Sequence, residues 1–307
     1  MQNGTFGLRV DDGVELFVHR WQPDAAPRAV VLLTHGMAEH GGRYARTAQQ
    51  LTAAGYAVYA ADLRGHGRTA LSPGDFGYFA DRNGWVRIVD DVYAVRRRIA
   101  EDHGTLPVFL LGHSLGSRVV QHYLFSHGDS VRGAALSGTG GRDALLATGG
   151  LAVVEFERLR LGARGRSRLI QFLTFGRYNR SFEPTRTRFD WLSRDADEVD
   201  KYMADPLCGF DMTVQGWKDV LSGIIQSERA DNQRRVPRDL PLYIFSGALD
   251  PVGEQTRGVR WLIDAYRRAG VHDITHRFYA DARHEVLNEL NRDEVHRDLI
   301  AWLDAHM

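Results

Sequence analysis

Four apolar residues, Val108 to Leu111, run directly into Gly112-His113-Ser114-Leu115-Gly116, and a helical apolar pattern at Val119, Val120, Tyr123 and Leu124 follows. A serine between two glycines, where a buried strand turns into a helix, is the G-x-S-x-G arrangement of a reactive hydroxyl on a sharp turn. Such a turn strains the serine backbone. Side chains two residues before and after it would collide, so glycine occupies both places. Ser114 Oγ then stands clear at the top of the sheet, and the Leu115 N–H, at the start of the helix, points toward an incoming oxyanion.

A serine hydroxyl is a poor nucleophile until a base takes its proton. The chain has 13 histidines. His284 lies just past the last expected strand, where the base of a Ser–acid–His order belongs. His276 is inside that strand, His272 is at its wrong end, and His296 and His306 read as surface residues of a final helix. Asp250, after the apolar run Pro241 to Phe245, is the expected acid that orients the imidazole. Asp281 is its rival because it shares a loop with His284. The second oxyanion donor is expected from the Met37 N–H, after the strand Ala29 to Leu33, with His35 shaping that loop by hydrogen bonding. His284-Glu285-Val286-Leu287-Asn288 lacks the second histidine of H-E-x-x-H, so it is not read as a zinc motif.

These residues need a scaffold that brings them to one edge. Thr5 to Val10 and Val14 to Trp21 flank Asp11-Asp12-Gly13 as a hairpin. Short apolar runs at Ala29 to Leu33, Tyr56 to Ala61, Val108 to Leu111 and Gly133 to Leu136 read as strands buried on both faces. Helical segments at Tyr44 to Ala54, Gly84 to His103 and Gly116 to Ser126 separate them. The alternation stops near Gly138 and resumes at Pro241 to Phe245, then Ile274 to Tyr279 and a helix over Asp293 to Ala305. The expected architecture is α/β: a mostly parallel, eight-stranded sheet with helices on both faces. Residues 1–140 and 237–307 form its core, and 141–236 form an inserted helical lid at the carboxyl ends of the strands.

Lys+Arg and Asp+Glu are both 39, so the net charge is zero and nothing suggests a nucleic-acid groove. The lone Cys208 cannot form an intramolecular disulfide, which fits a reducing cytoplasm. No basic and apolar leader is seen at the N-terminus, and no apolar run approaches the ~20 residues of a membrane span.

The chain resembles the monoacylglycerol lipase and lysophospholipase group of α/β-hydrolases, related to serine aminopeptidase-like S33 hydrolases. The match is carried by His35-Gly36-Met37-Ala38-Glu39-His40-Gly41-Gly42-Arg43-Tyr44, by Asp62-Leu63-Arg64-Gly65-His66-Gly67-Arg68, by the Ser114 turn and by the Asp250 and His284 loops. Thr69 stands where the family usually has serine, in a loop read as structural. The resemblance implies that Glu39 and Arg43 contact the polar head of a monoglyceride. A helix-start salt bridge is the competing reading of the pair. It also implies an ester hydrolase that forms an acyl-enzyme and uses no metal or organic cofactor. Leu145 to Phe156 and Leu169 to Phe175, either side of the basic run Arg158 to Arg168, suit an acyl tunnel and transient membrane-surface contact, or packing of the lid onto the core. Two other functions stay open: an aminopeptidase using Glu39 to anchor a substrate ammonium, and a non-catalytic binding module.

Overall fold

A computed structural model describes residues 1–176 and 178–307; Arg177, within the expected insertion, lies outside the described residues. Eight strands form one sheet: β1 (Gln2–Arg9), β2 (Glu15–Gln22), β3 (Ala29–Thr34), β4 (Tyr56–Ala61), β5 (Val108–His113), β6 (Gly133–Ser137), β7 (Leu242–Gly247) and β8 (Ile274–Tyr279). Their spatial order is β1-β2-β4-β3-β5-β6-β7-β8. β1 and β2 pair antiparallel, as do β2 and β4; every other pairing is parallel. The eight-stranded, mostly parallel expectation is therefore met.

Ten α-helices are described: α1 (Ala45–Ala53), α2 (Gly84–His103), α3 (Leu115–His127), α4 (Ala144–Leu161), α5 (Arg168–Phe175), α6 (Ala196–Ala204), α7 (Val214–Glu228), α8 (Ala230–Gln233), α9 (Arg257–Ala269) and α10 (Arg292–Ala305). The central strands are apolar at successive positions because both sheet faces are covered. Val30, Leu32, Leu110, Leu136 and Ile244 pack against α2, α3 and α9. Their neighbours Val31, Leu33, Phe109, Leu111 and Phe245 pack against α1 and α10 on the other face.

Two readings are corrected. No helix is expected over 257–269 from the alternation above, yet α9 forms there: Val259, Leu262, Ile263 and Tyr266 are spaced as a helical stripe and are buried on the sheet. His296 is not a surface residue: it is buried on α10, its Nε2 3.0 Å from Thr47 Oγ1 of α1.

Helices α4 to α8 lie between β6 and β7. Val154, Ile170, Trp217 and Val220 join the same hydrophobic cluster as Leu110 and the α2 residue Trp85. α7 lies so close to α2 that a Cβ on Gly223 would overlap the Trp85 indole. Among the described residues, no helix is long and apolar enough to cross a membrane.

Leu110, fully buried in the middle of the sheet, tests this shared core. Leu110→Ala should cost about 2–5 kcal/mol, read as a lower urea midpoint. A change below 1 kcal/mol would contradict the packing described.

Candidate active site

The sheet delivers its loops to one edge. Ser114 follows β5 and caps α3 with φ 52° and ψ −119°, a conformation that side-chain-bearing residues rarely adopt. Gly112 lies against the chain of the following helix: a Cβ there would come within 2.6 Å of the Gly116 carbonyl oxygen. A Cβ on Gly116 would meet the Thr34 and His35 carbonyls of the neighbouring β3 loop. Both glycines are thus required by close backbone approach, as the motif predicted.

His284 follows β8 and is almost fully buried. Its Nδ1–H faces both oxygens of Asp250, each at 3.0 Å. Asp250 follows β7 and also accepts the Val252 N–H at 2.9 Å and the Ser246 hydroxyl at 3.3 Å. Asp281, the rival acid, is exposed in a left-handed turn and makes no hydrogen bond to His284. Burial alone would lower the His284 pKa, but the charge and hydrogen bond of Asp250 outweigh it and hold it above the ordinary histidine value. With Nδ1 protonated, Nε2 is the free ring nitrogen. Ser114 Oγ and His284 Nε2 hydrogen-bond to no described residue, and both residues line one cavity of about 330 Å³.

The Met37 and Leu115 N–H groups also donate to no described residue. Two backbone donors without partners beside the candidate serine suit a site that receives an oxygen from outside. His35 holds the Met37 loop as expected. Its Nδ1–H donates to the Gly36 carbonyl at 2.8 Å, and its Nε2 accepts the Leu63 N–H at 2.9 Å. Burial lowers its pKa, consistent with this neutral role. Asp62 fixes the next turn by accepting the Gly41 and Arg68 N–H groups, each at 2.8 Å. Thr69, the family departure, donates to the Asp62 carbonyl and accepts from the Phe17 N–H.

Glu39 and Arg43 are brought together, but not as an open pair for a ligand. Glu39 accepts the Gly36 N–H at 2.5 Å, the Tyr44 hydroxyl at 2.8 Å and the Arg43 guanidinium. Arg43 also grips both oxygens of Glu285 at 2.9 and 2.8 Å, and stacks over Tyr202. Glu39 lines the cavity and Arg43 does not. Burial raises the Glu39 pKa, but Arg43, His113 and His35 overcome it and hold the carboxyl down at about 2. The expected headgroup contact by Arg43 does not match this geometry; the salt-bridge reading does.

Two residues at the site escaped the sequence analysis. His113 lies 4.8 Å from His284 between ring centres, and burial with His284 beside it lowers its pKa to about 4. Trp191 covers His284 at 5.0 Å, and the Glu285 N–H donates to the Leu192 carbonyl at 2.7 Å. The variable position of G-x-S-x-G gave a signal for His113; nothing local marked Trp191.

A second cavity, about 610 Å³, also reaches Ser114 and Met37. Its walls include Leu146, Val153, Val154, Leu173 and Ile224. Both cavities have mainly apolar walls and share the candidate serine; the smaller also carries the charged groups Glu39, Glu285, Arg168 and Arg188. The arrangement can perform acyl transfer: a nucleophile, a charged-pair base, two oxyanion donors and separate room for either side of an ester.

The sequence profile of the serine aminopeptidase S33 family matches residues 25–291. A monoacylglycerol lipase of Mycolicibacterium smegmatis is 32% identical over 298 residues, covering 96% of this chain and 95% of that protein. A monoglyceride lipase of Mus musculus is 29% identical, covering 93% of this chain and 88% of its own. The crystal structure of a carboxyl esterase from Bacillus coagulans in complex with glycerol superposes with a TM-score of 0.92 at 27% identity, over 100% of this chain and 99% of that one.

Removing Arg43 should leave two buried carboxylates uncompensated. Arg43→Ala should destabilise the fold by about 3–5 kcal/mol, measured by chemical denaturation at neutral pH. A loss under 1 kcal/mol would show that the ion network is not structural.

Proposed function

The chain belongs to the serine aminopeptidase S33 family, and within it we propose an ester hydrolase that cleaves monoacyl lipids, monoacylglycerols or lysophospholipids, through an acyl-enzyme on Ser114. The observation that carries this reading is the meeting of two cavities at Ser114, one walled by aliphatic side chains of α4, α5 and α7, the other by aromatic side chains that leave Glu39, Glu285, Arg168 and Arg188 in its lining. An amphiphile with one acyl chain has the same division. The relatives named as monoacylglycerol and monoglyceride lipases support the same substrate class.

In the proposed reaction the acyl chain occupies the larger, aliphatic-walled cavity and the alcohol the smaller one that carries the charged groups. Ser114 Oγ attacks the ester carbonyl as His284 Nε2 takes its proton, and Asp250 stabilises the resulting imidazolium. The Met37 and Leu115 amides receive the oxyanion, each worth roughly 3 kcal/mol to the transition state. Collapse expels the alcohol, protonated by His284. Water then enters, loses its proton to His284 and releases the acid.

We assign residues 141–236 as a lid over this site. Leu145, Leu146 and Leu159 are more than 70% exposed on α4, apolar area suited to transient contact with a lipid surface. The single cysteine supports a reducing, cytoplasmic setting. The aminopeptidase alternative is disfavoured because Glu39, its ammonium anchor, is already saturated by Arg43, Tyr44 and Gly36.

Ser114→Ala should abolish ester hydrolysis and fluorophosphonate labelling with the fold retained; activity within tenfold of wild type would refute the assignment. Among soluble esters, kcat/KM should rise by up to about fourfold per added methylene until the apolar cavity fills.

The pH profile has a defined sign. His284 must be neutral to act as base, and its pKa is raised. Activity should therefore fall as pH drops through an apparent pKa above 6.5. Asp250→Asn removes the charge that raises it, so the acid limb should move to lower pH while kcat falls by about 10⁴. An unmoved limb would exclude Asp250 as the partner.

A further inference from the structure

We propose that Arg168 and Arg188 form a specificity site for a phosphate group on the alcohol side of the ester. The preferred substrate is then a monoacyl ester of a phosphorylated small alcohol rather than of neutral glycerol. The inference rests on the Ser114 reading above and deepens it.

Both arginines line the smaller, mainly aromatic-walled cavity with Ser114 and His284. They come from separate segments: Arg168 opens α5, and Arg188 precedes the Trp191 wall. Both are exposed, which sets them at the rim. Several other arginines of the insertion are paired with carboxylates: Arg158 with Glu155, Arg160 with Glu157, Arg164 with Asp75, Arg186 with Asp200 and Arg194 with Glu289. Among the described residues, neither Arg168 nor Arg188 has a carboxylate partner. Arg188 is held over the Phe189 ring at 4.6 Å, with one weak contact to the Gly209 carbonyl at 3.4 Å. It is oriented without being neutralised.

The cavity also contains two carboxylates, Glu39 and Glu285. They lie at its buried floor and share Arg43 behind them. Two lining carboxylates against two lining arginines plus Arg43 leave one positive charge in excess. That excess lies at the rim, where an alcohol headgroup would extend. Guanidinium groups from two directions suit an anion with several oxygens, because each planar fork can take two of them. The uncharged hydroxyls of glycerol would draw only ordinary hydrogen bonds from the same groups.

The test compares two esters with the same short acyl chain, monodecanoyl glycerol and monodecanoyl glycerol phosphate, both below their aggregation concentrations. In the wild type the phosphate ester should have at least fivefold higher kcat/KM at low ionic strength, and salt should reduce that advantage. Arg168→Gln and Arg188→Gln should each lower the ratio at least threefold. The double variant should lower it at least tenfold, mainly through KM, with lysine at both positions restoring part of it. A wild-type ratio at or below one, or a ratio unmoved in the double variant, would overturn the proposal. If the double variant instead loses only hydrolysis of neutral ester on phosphatidylglycerol vesicles, the arginines serve the membrane surface and the headgroup site is refuted. No hydrolysis of either ester, with Ser114 unlabelled by fluorophosphonate, would overturn the Ser114 reading and this proposal together.

Discussion

One guanidinium held between two buried carboxylates fixes the relative position of the loops that make the site. Arg43 joins Glu39, two residues past Met37, to Glu285, the residue after His284 and 242 positions beyond Arg43 itself. Burying three charges is expensive, and it is tolerable only where nearly every lone pair and proton is used. Here the Gly36 amide and the Tyr44 and Asn288 side chains complete the carboxylates' bonds. The network sets the oxyanion loop against the histidine loop, so an error in either would break it.

The insertion extends that logic. Its Leu192 carbonyl accepts the Glu285 N–H, Tyr202 donates to the Ala38 carbonyl at 3.0 Å, and Trp191 covers the His284 ring. These contacts make the segment 141–236 a wall of the site. Its helices complete the hydrophobic cluster on one sheet face, as Val154 and Trp217 do beside Trp85. Displacing the whole segment would therefore expose core.

The sheet was legible because strands buried on both faces are short, apolar and bounded by turn residues. The positions of Ser114 and Asp250 were legible because each follows such a strand; His284 follows β8, which is largely exposed and was read from its apolar ends, Ile274 and Phe278-Tyr279. α9 was missed despite its stripe and despite Thr256 at its N-cap, where the left-handed backbone makes no capping bond. His296 was misjudged because its burial depends on α1, far away in sequence. Trp191 and the cavity-lining arginines depend on long-range packing, which no local pattern encodes. Glu39 and Arg43 were recognised as a pair, but only the placement of Glu285 reveals that the pair is a triad.

The junction of two cavities at one side chain has a kinetic consequence. On the acyl-enzyme reading, the departing alcohol vacates one compartment while the acid half remains anchored in the other. Water must arrive through the compartment just emptied. Alcohol that lingers there returns the reaction to its start, and a second alcohol that enters is acylated in place of water. The partition between hydrolysis and transesterification is thus governed by the occupancy of a space of about 330 Å³, independently of the reactivity of the serine.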